Sequence, residues 1–96
     1  MNPTAGDVYV ADTRDEQRRR VLVVSDARFH LATGRAIVAP TIATVAADES
    51  PWRPGVGERF AVDFLTTLPL DRLLEAVGRV DAATVRRAQR AVVMSL

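Results

Sequence analysis

The chain contains no cysteine, which excludes disulfides, thiolate nucleophiles and thiolate-bound metals. Lysine is absent too, so all 13 cationic side chains are arginine. A GC-rich coding bias accounts for this and for the abundant alanine and valine, but arginine's planar, permanently charged fork also suits bidentate phosphate contacts. One histidine with carboxylates at scattered positions cannot make a zinc site. No glycine-rich phosphate loop, paired-histidine motif or Ser-x-Gly nucleophile elbow occurs, so neither metal nor cofactor is expected. No apolar run is long enough to span a bilayer, and "MNPTAGD" lacks the basic and apolar parts of a signal peptide. The expectation is a cytoplasmic protein with no membrane partner. A net charge of +1 argues against a sequence-blind duplex binder and leaves room for a local basic groove.

The 96 residues suit one domain, 1–96, that buries a single core but is marginal alone, so a homo-oligomer is expected. "GDVYVAD" (Gly6 to Asp12) alternates polar and apolar like a half-buried strand. "TRDEQR" (Thr13 to Arg18) reads as a hairpin loop, and "RVLVVS" (Arg20 to Ser25) as a strand covered on both faces. "DARFHLATG" (Asp26 to Gly34) breaks the strand pattern, and "RAIVAPTIAT" (Arg35 to Thr44) resumes it, with Pro40 suggesting an edge or a bulge. The segment from Ala46 to Glu58 reads as a loop, "RFAVDFLTTL" (Arg59 to Leu68) as a strand, "PLDRLL" as a helical turn, and "EAVGRV" (Glu75 to Val80) as a last strand. Asp81 then caps a helix whose Val85, Ala88, Val92 and Leu96 share one face, with Arg86, Arg87 and Arg90 on the others. A mostly antiparallel sheet with helices laid against it follows, so the class is all-β with α additions, or α+β.

Few side chains offer chemistry. His30 is the one group that titrates near neutrality without help, yet a lone histidine beside a turn is more often a surface or half-buried polar residue. Trp52, in "SPWRPG", either caps an apolar edge or offers a stacking platform for a base. Arg86, Arg87 and Arg90 read as a solvated face placed favourably toward a helix C-terminus. In "QRRRVLVVSD", Arg18, Arg19 and Arg20 stand at the mouth of an apolar strand. Arginines there can be gatekeepers against aggregation, but pleating sends Arg19 to the face opposite Arg18 and Arg20. Asp15 and Glu16 in the same loop, or an external phosphate, could neutralise the charge.

The order of "GDVYVAD", arginine before "VLVVS", "RAIVAP", "VDFLTTLPLDRL" and "VGRVDAATVRRAQRAV" resembles the MazF/PemK and CcdB superfamily of bacterial toxins over nearly the whole chain. The resemblance implies a small SH3-like barrel of antiparallel strands with a C-terminal helix, a homodimer, and neutralisation by a cognate antitoxin. MazF-type members cut single-stranded RNA without metal, the 2′-hydroxyl attacking the adjacent phosphate to leave a cyclic phosphate. The family's Arg-Pro-Val-Leu-Val pattern maps its catalytic arginine onto Arg19, with Arg20 in place of the proline. A guanidinium there stabilises charge building on the phosphoryl oxygens. The further candidate RNA contacts are Glu16, Gln17, Arg18, Arg20, Trp52 and Arg53.

Two departures bear on activity. The threonine that the family places two residues after the "VVVP" proline is Ile42 here. Thr44 shares the face of residue 42, about 7 Å further along, and Thr41 reaches it through a bulge at Pro40, so both are candidate catalytic hydroxyls. The first hairpin loop is also shorter than in MazF-type members and closer to CcdB, although the ending "VVMSL" lacks the Trp-Gly-Ile of that branch. Two functions are therefore weighed: a metal-independent endoribonuclease toxin, and a non-catalytic module on the same fold, either a DNA gyrase poison or a degenerate relative.

Overall fold

A computed structural model describes residues 2–14, 18–40 and 65–94. Its elements are β1 (Asp7–Ala11), β2 (Arg19–Val23), α1 (Ala27–Thr33), β3 (Arg35–Pro40), β4 (Thr66–Pro69), a 3₁₀ turn (Leu70–Arg72), β5 (Leu73–Arg79) and α2 (Ala82–Met94). The strands form one antiparallel sheet in the order β4-β3-β2-β1-β5. The class is α+β.

The central strand explains the architecture. Val21 and Val23 join Tyr9, Ala11, Ala36, Val38, Leu68 and Leu73 in one apolar cluster. Leu22 and Val24, on the other face, join Val8, Ala39 and Ala88 of α2 in a second. A strand buried on both faces needs apolar residues at every position, and "VLVV" supplies them.

The two edge strands are consecutive in the chain. A flat sheet would separate them by four strand gaps, about 19 Å, yet the four residue steps from Pro69 to Leu73 reach at most about 14 Å. The sheet therefore curls and brings its two edges toward each other at the 3₁₀ turn, small-barrel-like, although among the described residues no pairing joins β4 to β5 and the sheet stays open. Two backbone bonds hold that corner: the Leu70 N–H donates to the Gly34 carbonyl at 3.0 Å, and the Asp12 N–H to the Arg72 carbonyl at 3.0 Å.

The segment read from sequence only as a break contains a helix. Asp26 caps α1 by accepting from the Arg28 and Phe29 N–H groups at 2.9 and 3.1 Å, and Gly34 ends it at φ 70°. The Phe29 N–H bond, followed by the Arg28 N–H bond and the Arg28 charge, lowers the titration of the Asp26 carboxyl against the opposing effect of burial. Asp81 caps α2 as expected, accepting from the Thr84 N–H at 2.7 Å. The contacts from the Thr84 hydroxyl and N–H likewise lower its titration. Val85 and Val92 are half-buried around buried Ala88, while Leu96 lies outside the described residues. Arg86, Arg87 and Arg90 are exposed, but the last turn of α2 holds no basic residue, which corrects the helix-dipole reading.

Gly6 occupies a position closed to other residues. It adopts φ 101°, and a Cβ there would meet the Val85 side chain at 2.7 Å.

Candidate phosphate-binding site

The arginines of "QRRR" stand where the sequence puts them. Arg18, Arg19 and Arg20 are all exposed, with Arg19 and Arg20 opening β2. Arg19 pairs with Ala11 and Arg20 with Val10. Pleating puts Arg19 on the side of Val21 and Val23, the inner face of the curled sheet, and Arg20 on the side of Leu22, facing α2. Glu75 lies across Val10 from Arg20, on the same row.

The described ladder between β2 and β3 ends at Val21↔Pro40, short of Arg19. Thr41, Ile42 and Thr44, the candidate hydroxyls and the departure from the family pattern, lie outside the described residues, as do Asp15, Glu16, Gln17, Trp52 and Arg53. Among the described residues, the candidate set is represented by Arg18, Arg19 and Arg20 at the start of β2.

Beside them is a group that the sequence reading passed over. Asp12 follows β1, and its Oδ1 accepts the Arg14 N–H at 3.0 Å, the bond of an Asx turn. Its other oxygen, Oδ2, stands 3.6 Å from the Arg72 guanidinium, 60 residues further along the chain. Arg14 itself has φ 71°, a left-handed conformation costing a non-glycine residue roughly 1–2 kcal/mol. The chain distance between residues 12 and 72 hides this pairing from any local pattern.

His30 is not a surface group. It is 3% exposed, with Nδ1 2.8 Å from the Pro3 carbonyl and Nε2 2.6 Å from Ser25 Oγ. A carbonyl only accepts, so Nδ1 carries the proton, and in the neutral ring Nε2 accepts from the Ser25 hydroxyl. Ser25 Oγ in turn accepts the Ile37 N–H at 2.9 Å. With both nitrogens engaged and no solvent access, His30 fastens the N-terminal arm to α1 and β3. Arg79 holds the same arm from β5, donating to Thr4 Oγ1 at 3.0 Å and to the Asp7 carboxylate.

The Tyr9 hydroxyl titrates above its ordinary value because of burial and the Asp7 charge. Among the described residues no three His, Cys, Asp or Glu side chains converge to hold a metal ion, and no helix is long and apolar enough to cross a membrane.

The described residues thus form a curled antiparallel sheet with α2 against one face and an arginine cluster at one end. The model of the family described as "PemK-like, MazF-like toxin of type II toxin-antitoxin system" matches residues 4–96, and the chain belongs to that family. It is accordingly a toxin of the type II class. Among solved structures, an endoribonuclease from a mycobacterial species superposes with a TM-score of 0.76 at 22% identity, covering 99% of this chain and 91% of that one. A MazE–MazF crystal structure from Deinococcus radiodurans gives 0.76 at 21% identity, with 100% and 99% covered. The Mycobacterium tuberculosis toxin MazF-mt6 gives 0.66 at 18% identity, with 93% of each chain covered. At such identities these neighbours establish the fold. No curated protein matches the chain.

Proposed function

We propose that this toxin is an endoribonuclease that cleaves single-stranded RNA without a metal ion, leaving a 2′,3′-cyclic phosphate, and that a cognate antitoxin neutralises it. The observation that carries this reading is Arg19, exposed at the first position of β2 in a chain that matches the toxin family over residues 4–96. On the inner face at the sheet's end, its fork can hold two phosphoryl oxygens while a neighbouring 2′-hydroxyl attacks phosphorus. The phosphorus–oxygen bond to the next nucleotide breaks as the new bond closes the ring, the 2′-hydroxyl gives its proton to solvent, and the leaving 5′-oxygen takes one from solvent, so no net proton is consumed. A permanent cation aimed at charge that grows in the transition state lowers the barrier without needing to titrate. Arg18 and Arg20, on the opposite face by pleating, add positive charge to the same end of β2. The neighbour described as an endoribonuclease in complex with its cognate antitoxin supports the partner assignment. The active form is a homodimer, in keeping with the small size of the chain.

The test is incubation of the purified protein with RNA in EDTA, with end-group analysis. Cleavage ending in cyclic phosphate is expected, and Arg19→Ala should lower the rate on the order of 10²–10³-fold. Intact RNA together with blocked gyrase supercoiling would instead select the non-catalytic reading that Ile42 motivates.

A further inference from the structure

We infer that Asp12 and Arg72 are a positioning pair for the cleavage reaction: their contact fixes the end of β1 and thereby sets the backbone that carries Arg19. The inference rests on the endoribonuclease reading. Arg19 has Ala11, the last residue of β1, as its strand partner, and Ala11 pairs on its other side with Leu73 at the start of β5. Arg19, Ala11 and Leu73 therefore form one row across three strands. Whatever holds the middle of that row holds the guanidinium at its end.

Asp12, the next residue after Ala11, is tied three ways. Its N–H donates to the Arg72 carbonyl at 3.0 Å, its Oδ1 accepts the Arg14 N–H at 3.0 Å, and its Oδ2 stands 3.6 Å from the Arg72 guanidinium. Main chain and side chain of one residue thus grip main chain and side chain of the other. Arg72 also ends the 3₁₀ turn whose first residue, Leu70, donates to the carbonyl of Gly34 just before β3, so the grip is backed from a third strand.

Folding energy does not account for the ion pair. Its side chains are 22% and 45% exposed, and a pair so open to water contributes little to stability. Position is worth far more, because a misplacement of about 1 Å at a reacting group costs up to about 10²-fold in rate. The competing account of Arg72 is plain attraction of a cation for the polyanion, and the two partners separate these accounts by sign. Asp12→Asn keeps an oxygen for the Arg14 N–H but leaves this end of the sheet more positive, whereas Arg72→Gln leaves it more negative. Attraction predicts opposite effects of the two changes; positioning predicts a loss in both.

The experiment is steady-state cleavage of a single-stranded RNA in EDTA by the full chain and its variants, with thermal unfolding of each. Asp12→Asn and Arg72→Gln should each lower kcat about 10-fold and change KM by less than about 3-fold. Their unfolding midpoints should stay within about 5 °C of wild type. The double variant, in which asparagine and glutamine form a neutral hydrogen-bonding pair, should recover most of kcat. Backbone hydrogen exchange gives a readout that needs no catalysis: it should speed up at residues 10–12 and 19–21 in each single variant, stay at wild-type rates at residues 22–24, and slow again in the double. If Arg72→Gln does not fold, Asp12→Asn, which keeps the turn, decides.

A kcat that rises in Asp12→Asn and falls in Arg72→Gln overturns the inference, because Arg72 then acts by charge alone. Wild-type kcat in both single variants overturns it too, as do losses that simply add in the double. Wild-type protein that cuts RNA while the variants keep wild-type kcat and exchange refutes the pair alone. Protein that never cuts RNA refutes the endoribonuclease reading alone, and exchange along the Ala11–Arg19 row still decides whether the pair sets Arg19.

Discussion

Arg19 and His30 show how differently two polar residues can be employed in one small protein. Arg19 is exposed where β2 begins, where a permanent charge meets solvent and any bound anion. His30 is buried with both ring nitrogens bonded, so it has neither the access nor the free lone pair that a general base needs. Replacing it by phenylalanine keeps the volume but strands the Pro3 carbonyl and the Ser25 hydroxyl. We expect a loss of about 1–3 kcal/mol in urea unfolding, with RNA cleavage per folded molecule unchanged. A kcat reduced in protein that is fully folded would show that His30 has a chemical role after all.

At the scale of elements, the caps are where pH acts on the fold. Asp26 and Asp81 each accept N–H bonds at the start of a helix, and both titrate below their ordinary value in the folded protein. A depressed carboxylate contributes stability that is complete above its unfolded pKa and disappears as pH falls through the folded one. Thermal unfolding followed by helical circular dichroism should therefore show midpoints that are level near neutrality and drop below about pH 4. Asp81→Asn, which keeps the capping oxygen but cannot titrate, should flatten part of that drop; an unchanged acid profile would place the sensitivity elsewhere.

Helix α2 could be read from its cap and its apolar spacing, because both signals are local. Helix α1 could not: seven residues carry too few turns for a period to show, and only Asp26 and Gly34 at its ends mark it. Its exposed Leu31, at 78%, also breaks the expectation that apolar positions mark the buried side.

At the scale of the whole molecule, stability depends on the curl of the sheet that brings β4 and β5 toward each other at the 3₁₀ turn. Leu73, 1% exposed, stands just past that corner and packs in the inner cluster with Ala11 and Val21. Leu73→Ala should cost about 2–5 kcal/mol in chemical denaturation. Because Leu73 pairs with Ala11, and Ala11 with Arg19, the same change should weaken RNA binding in protein still folded. A stable variant with full affinity would mean that the corner and the arginine end are independent.

The sequence by itself determined the strands β1, β2 and β3, the double-sided burial of "VLVV", the capped closing helix and the arginines at the mouth of β2. Each of these is written in neighbouring residues, through alternation, spacing or a cap. Only the tertiary structure decided that His30 is sealed under the N-terminal arm and that Arg72 neutralises Asp12. These depend on contacts across 27 and 60 residues and on the curl that brings the sheet edges toward each other. No local pattern encodes such contacts, because packing fixes them only after the whole sheet has curled.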